Sequence, residues 1–291
     1  MEFLSFFISC CILYVFYLCL LFNTLLFIQH TMTIELTTVS AIIGWIYVIG
    51  WGVANYPTIL HNRKCKSVEG ISMDYLFFNM MGFVLYTTYT SCMIFNSIIR
   101  EEFYLENGEW PLIKVNDLIF GVHNLLTNGY MIIQAYCLGY SKKDSQKVSI
   151  GAKVIIGCVI SYIIIGLIII YHNQGWGVVI GEFNLMKLVT YMGLIKIGMS
   201  VCKNIPQIIY NFERKSTNGW PVLMIWFDFF GASMSLIQLI IDALVVNDIM
   251  NIFDNKPKLF LAVQVIIADS IFFLQHYYLY YDEGEGYFIL E

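Results

Sequence analysis

The stretch NIPQIIYNFERKSTNGW, residues 204–220, sets a proline, several polar side chains and three charges directly behind a long apolar run. Another apolar run follows at once. The arrangement also occurs earlier in the chain. Residues 55–82 laid over residues 204–231 without a gap agree at nine of 28 positions. The pairs are Asn55/Asn204, Pro57/Pro206, Ile59/Ile208, Asn62/Asn211, Lys66/Lys215, Ser67/Ser216, Gly70/Gly219, Phe78/Phe227 and Gly82/Gly231, all offset by 149. Chance likeness between apolar runs accounts for the isoleucines and phenylalanines. It does not account for N-x-P-x(4)-N-x(3)-K-S-x(2)-G at one spacing.

The surroundings say where such a segment must sit. Of the 291 residues, 58% are hydrophobic and 13% charged, against about 25% charged in a soluble domain. The chain therefore reads as an integral membrane protein, with the lipid bilayer as its main partner and no stretch left for a separate soluble domain. A net charge of −5 gives no reason to expect nucleic acid. The eight cysteines lie mostly in apolar runs and show neither metal spacing nor a disulfide framework. No nucleophile–base or metal constellation marks an enzyme, and no cofactor is implied.

A bilayer-spanning helix needs about 20 apolar residues. Seven runs qualify: 37–60, 72–97, 114–139, 150–172, 182–211, 220–246 and 258–281. An eighth, in residues 1–30, is a signal peptide or a signal-anchor, its length favouring the anchor. The loops after the odd spans hold eight basic residues: Arg63, Lys64, Lys66, Lys142, Lys143, Lys147, Arg214 and Lys215. The loop after the second span is acidic, with Glu101, Glu102, Glu106 and Glu109. The positive-inside rule puts the odd loops and the C-terminal tail in the cytoplasm.

The repeat extends weakly into a third helix, where Asp117-x-Ile119-Phe120 resembles Asp269-x-Ile271-Phe272 at an offset of 152. The expected architecture is all-α: a seven-helix bundle of two parallel three-helix repeats, 37–139 and 182–281, joined by a linker helix at 150–172. Transporters are often built from such repeats, with substrate held near the midplane between them. Pro57 and Pro206 each lack an N–H and so break or kink their spans, which makes them candidate hinges. Lipid offers no partner to the freed backbone groups, so neighbouring polar side chains must supply one.

Charged side chains at membrane depth cost about 2.5–3.5 kcal/mol on insertion scales and mark functional sites. Here they fall on helical stripes. Asp117, Gly121, Asn124 and Asn128 share one face of the third span, and Lys196, Ser200, Lys203 and Gln207 one face of the fifth. Asp228, Gly231, Ser235 and Asp242 share a face of the sixth, and Asp269, His276 and Tyr280 one of the seventh. Asn79 is the repeat-mate of Asp228. Asp242 and Lys187 lie near span ends, where solvation suits them. Acids and lysines facing one cavity suit a zwitterion; a sugar would need neither.

The proline-centred repeat, the seven spans and the orientation resemble the PQ-loop transporters. KNIPQIIYNFERKSTNGW, FDFFGASMSLIQ, VNDLIFGVHNLL and ADSIFFLQHYYLYY are similar to the branch that exports L-cystine from lysosomes together with protons, and the likeness covers roughly residues 37–290. It implies a SWEET-like bundle working by alternating access in the lysosomal membrane. It implies that Asp117 is the principal proton-coupling acid and that Asp228 and Asp269 are further acids of a central cavity. It implies substrate contacts at Lys196, Lys203, Gln207 and Asn211; Asn79, as the repeat-mate of Asp228, is a further candidate for the substrate site. The tail residues Gly286, Tyr287 and Leu290 resemble a lysosomal sorting signal of the kind that clathrin adaptors read from the cytoplasm. Two positions depart from the pattern: threonine replaces glutamine in Tyr56-Pro57-Thr58, and Met224 stands where the family often has asparagine. A cationic amino-acid exporter of the same fold, or a non-transporting membrane receptor or adaptor, are the alternative readings.

Overall fold

The structure is a computed structural model of the chain. It describes residues 33–280, apart from 109, 112, 114, 175–176, 179–182 and 254–255. The opening segment 1–30 and the tail with Gly286, Tyr287 and Leu290 lie outside the described residues.

The regular elements of the described residues are helices. They form α1 (Thr33–Val53), α2 (Asn55–Cys65), α3 (Met73–Phe95), α4 (Ser97–Asn107), α5 (Val115–Tyr136), α6 (Ile150–Gln174), α7 (Leu185–Arg214), α8 (Val222–Val245) and α9 (Lys256–Leu274), with a π turn at Gln275–Leu279. Joined end to end, α1 and α2 make one rod interrupted at Ala54. With that rod, seven long helical rods coincide with the seven expected spans. Five are apolar enough to cross a membrane on composition alone; α3 and α5 fall outside that group. Their polar faces turn inward: Asn79, Asn124, Asn128 and Gln134 are all buried. The acidic stretch expected as loop is instead the helix α4, begun by the Asn96 side chain accepting the Ile99 N–H at 3.1 Å.

The two halves interlock. The broadest interfaces are α3 against α7 and α1 against α8, each pairing the first rod of one half with the second of the other. Repeat-mate residues make both crossings. A Cβ on Gly82 of α3 would stand 3.4 Å from the Met199 Cβ on α7, and one on Gly50 of α1 would stand 3.3 Å from the Gly231 Cα on α8. Gly82 and Gly231 are one repeat pair, and Gly50 and Met199 occupy matching places in the other helix. Small residues at such crossings let helices approach closely, which is the main source of packing in lipid. The third helices lie alongside, α5 on α3 and α9 on α8, while α6 packs mainly on α3 and α7.

Matching hydrogen bonds fix the register of the third helices. Asn62 Nδ2 donates to Gln134 Oε1 (3.0 Å), and Gln134 Nε2 to the Ile59 carbonyl (3.0 Å). Asn211 Nδ2 donates to Gln275 Oε1 (3.1 Å), and Gln275 Nε2 to the Ile208 carbonyl (2.9 Å). Gln134 therefore corresponds to Gln275, an offset of 141, and Asn128 corresponds to Asp269. This corrects the expected match of Asp117 to Asp269 at 152. Between second and third helices the first half carries 149 − 141 = 8 extra residues, where α4 stands in place of the short turn Ile249–Phe253.

Candidate functional site

The polar groups of the bundle lie at three levels. At the end carrying Lys66, Lys142 and Lys215, both repeat segments finish alike. Lys66 (φ 51°) and Lys215 (φ 52°) close their helices in the left-handed region. Ser67 N–H returns to the Asn62 carbonyl and Ser216 N–H to the Asn211 carbonyl, both at 3.3 Å. The loops then meet on the axis between the halves at Gly70 and Gly219. Gln207 fastens this meeting: Oε1 accepts the Ser72 N–H (2.7 Å), and Nε2 donates to the Gly70 carbonyl (3.0 Å) and Asn211 Oδ1 (2.9 Å). Tyr210 adds a bond from its hydroxyl to the Glu69 carbonyl, 2.9 Å. Thr58, in the place of Gln207 in the first half, reaches only across to Met224 Sδ, 3.2 Å. The two positions that depart from the family pattern thus touch each other. Gln207 and Asn211, expected at the substrate, serve here as the clasp and do not line the cavity.

The middle level is a cavity of about 610 Å³ between the halves, its open mouth included. Its polar wall holds Lys196, Ser200 and Lys203 from α7, Asp228 from α8, Asn79 from α3 and Asn124 from α5. Trp51, Tyr75, Phe83 and Phe120 supply aromatic walls. The lysines lie over aromatic rings: Lys196 Nζ is 5.8 Å from the centre of Phe83 and 5.2 Å from that of the neighbouring Tyr86, and Lys203 Nζ is 5.4 Å from that of Tyr75. Asp228 is within electrostatic reach of both lysines. Asp269 sits behind it, 3% exposed, within reach of Asp228 and Lys203, with Oδ2 making no hydrogen bond. Two acids and two lysines are thereby gathered at mid-bundle.

The halves differ at this level in one respect. Asn79 Nδ2 donates to Asn128 Oδ1 at 2.5 Å. The corresponding pair in the second half is Asp228 with Asp269. One half closes the position with neutral amides, and the other puts two carboxyl groups there. Asn55 also belongs to the neutral side, donating to Asn124 Oδ1 (3.1 Å) and Thr127 Oγ1 (3.0 Å).

At the far end, Asp117 in the first turn of α5 is not among the residues lining the cavity. Around it are groups from both halves that the sequence leaves scattered. Ser40 Oγ donates to Asp242, Gln238 Nε2 to the Ser40 carbonyl (2.9 Å), and Lys258 Nζ to Gln238 Oε1. Lys258 is within electrostatic reach of Asp117 and Asp242 and lies 5.0 Å from the centre of the Tyr47 ring. Asp242, expected to be a solvated span-end residue, is part of this network. Of the hinge candidates, Pro206 lies within the continuous helix α7, whereas Pro57 follows the interruption at Ala54.

A polar cavity between two proline-bearing repeats, clasped by one repeat segment gripping the other, defines a PQ-loop membrane protein. The PQ loop repeat family matches at residues 39–99 and again at 188–248, an offset of 149 at both edges. A cystinosin homolog of Caenorhabditis elegans is 35% identical over 244 residues, 82% of this chain and 57% of that one. A cystinosin homolog of Dictyostelium discoideum is 32% identical over 254 residues, 87% of this chain and 85% of that one. A protein of Saccharomyces cerevisiae named a cystine transporter is 24% identical over 263 residues, 86% of this chain and 96% of that one. The chain belongs to the cystinosin family. It spans little more than half the length of the nematode relative it matches.

Proposed function

We propose that this protein exports L-cystine from the lysosomal lumen to the cytosol together with protons, by alternating access around the central cavity. The observation that carries this reading is the gathering of Lys196, Lys203 and Asp228 at one cavity between the repeats, with Asp269 buried behind Asp228. Cystine carries two ammonium and two carboxylate groups, and a wall bearing both signs of charge meets both. Two cavity lysines disfavour a substrate of net positive charge. The yeast relative's name points the same way.

In this reading protons from the acidic lumen neutralise Asp117 and one cavity acid, which lowers the cost of occluding a charged cavity. Bending at Pro57 and Pro206 then exchanges access, and the clasp of Gln207 on Gly70 and Ser72 is the cytosolic closure. Neutral cytosol takes the protons and resets the carrier. The tail residues Gly286, Tyr287 and Leu290 address the protein to lysosomes through clathrin adaptors.

The test is uptake by cells carrying Tyr287→Ala, which places the protein at the plasma membrane with its lumenal side outward. Radiolabelled cystine should enter from acidic medium, faster as the medium is acidified, and lysine and arginine should not compete. Uptake of lysine in preference to cystine would make it a cationic amino-acid carrier. Surface protein with no substrate-dependent proton current would make it a receptor or adaptor.

A further inference from the structure

Gln264 on α9 lines the cavity, and its buried Nε2 has no hydrogen-bond partner among the described residues. A buried amide donor without an acceptor is a standing cost to the fold, so it points to an acceptor brought from outside.

The register of the third helices accounts for the missing partner among the described residues. At an offset of 141 Gln264 corresponds to His123. His123 is satisfied: its Nε2 meets the Tyr56 hydroxyl at 2.9 Å. At the repeat offset of 149 the counterpart of Tyr56 is Ile205, which has no polar group to offer. The second half therefore lacks the hydroxyl that serves this position in the first, and its amide lies at the cavity with Lys196, Lys203 and Asp228.

We propose that Gln264 is a specificity-determining residue that donates its Nε2–H to a carboxylate of the transported amino acid. The proposal rests on the cavity being the transport site for cystine. The lysines attract a carboxylate as point charges and hold it without fixed direction. A planar amide fixes where one of its oxygens must lie, and as a neutral group it does so without changing the charge of the cavity. Gln264 should therefore set substrate preference and leave the pH profile alone.

The experiment reconstitutes the full chain in liposomes and measures cystine uptake and its competition by two analogues. Dithiodipropionate keeps both carboxylates and lacks the ammonium groups; cystamine keeps the ammonium groups and lacks the carboxylates. In Gln264→Leu the KM for cystine should rise about tenfold, the size of one lost charge-assisted hydrogen bond. Maximal rate and pH profile should be unchanged. Inhibition by dithiodipropionate should weaken by a similar factor, and inhibition by cystamine should not. Gln264→Glu, which can only accept when ionised, should weaken dithiodipropionate further than leucine does. Because leucine removes an orphaned amide, the Gln264→Leu protein should melt no lower than the parent. A variant that weakens cystamine instead would show that the amide reads the ammonium group and would overturn the proposal. So would an unchanged KM for cystine in both variants. If the parent protein itself moves no cystine, the functional reading fails first and the proposal falls with it, an outcome distinct from normal parental uptake with indifferent variants.

Discussion

Gly70 and Gly219, one position of the repeat seen twice, lie backbone against backbone where the two loops cross. A Cβ on Gly219 would stand 2.8 Å from both the N and the Cα of Gly70, and Gly219 also has a φ of +79°. Both the space and the conformation call for glycine. Gly219→Ala should therefore prevent the loops from meeting, and transport in liposomes should fall at least tenfold while helix content stays the same. A variant with parental turnover would show that the crossing opens without cost.

The clasp is unequal between the halves, and that inequality should appear as stability. Gln207→Leu leaves the Ser72 N–H and the Gly70 carbonyl without their partner, each a loss of about 1–3 kcal/mol if it stays buried. Thr58→Val loses one hydroxyl–thioether contact, worth less than about 1.5 kcal/mol. In detergent, Gln207→Leu should melt well below Thr58→Val. Equal melting temperatures would mean that water replaces the glutamine.

Asp117 is within electrostatic reach of Tyr47 and Lys258 and does not line the cavity. If it is the proton-coupling group, Asp117→Asn should keep the fold and flatten the dependence of uptake on lumenal-side pH. A parental pH profile in this variant would move the coupling to Asp228 and Asp269.

Helix α4 is anchored to the start of α7. Glu102, 1% exposed, accepts the Met186 N–H at 2.9 Å, and Glu106 meets Lys187 at 3.3 Å. A carboxylate at a helix N-terminus satisfies a backbone donor and complements the helix dipole. Glu102→Ala should cost about 1–2 kcal/mol and Glu102→Gln less, since the amide oxygen still accepts. Melting that ranks the two in the reverse order would show that the charge is a burden there.

The first two helices of each repeat were legible because the matching residues do matching work: Asn62 and Asn211 return their carbonyls to the turn, and Lys66 and Lys215 take the same left-handed φ. The stripes of Lys196, Lys203, Asp228 and Asp269 were legible because few charges enter a membrane without cause. The third helix was misaligned because Asp-x-Ile-Phe recurs by coincidence. The true register rests on Gln134 and Gln275, single residues recognisable only by what they bond to. Helix α4 escaped notice because eleven residues with this many charges read as loop; its helix depends on Asn96 and on contacts with α7. The network of Ser40, Asp242, Gln238 and Lys258 draws on helices from both halves, and no local pattern brings Ser40 to Asp242, 202 residues away.

The interlocking of α1 with α8 and of α3 with α7 makes the molecule, in effect, a dimer written on one polypeptide. Each half offers its partner the face it receives in return, the self-complementary contact of a twofold assembly. Its helix α6 packs mainly on α3 and α7 and contributes little to that contact. A half expressed alone would leave both broad faces bare to lipid, and two halves expressed as separate chains already carry the surfaces needed to find each other. Once two subunits share a chain they no longer need to be identical. One has kept a pair of amides at the centre while the other carries a pair of acids, a division of labour closed to a true homodimer.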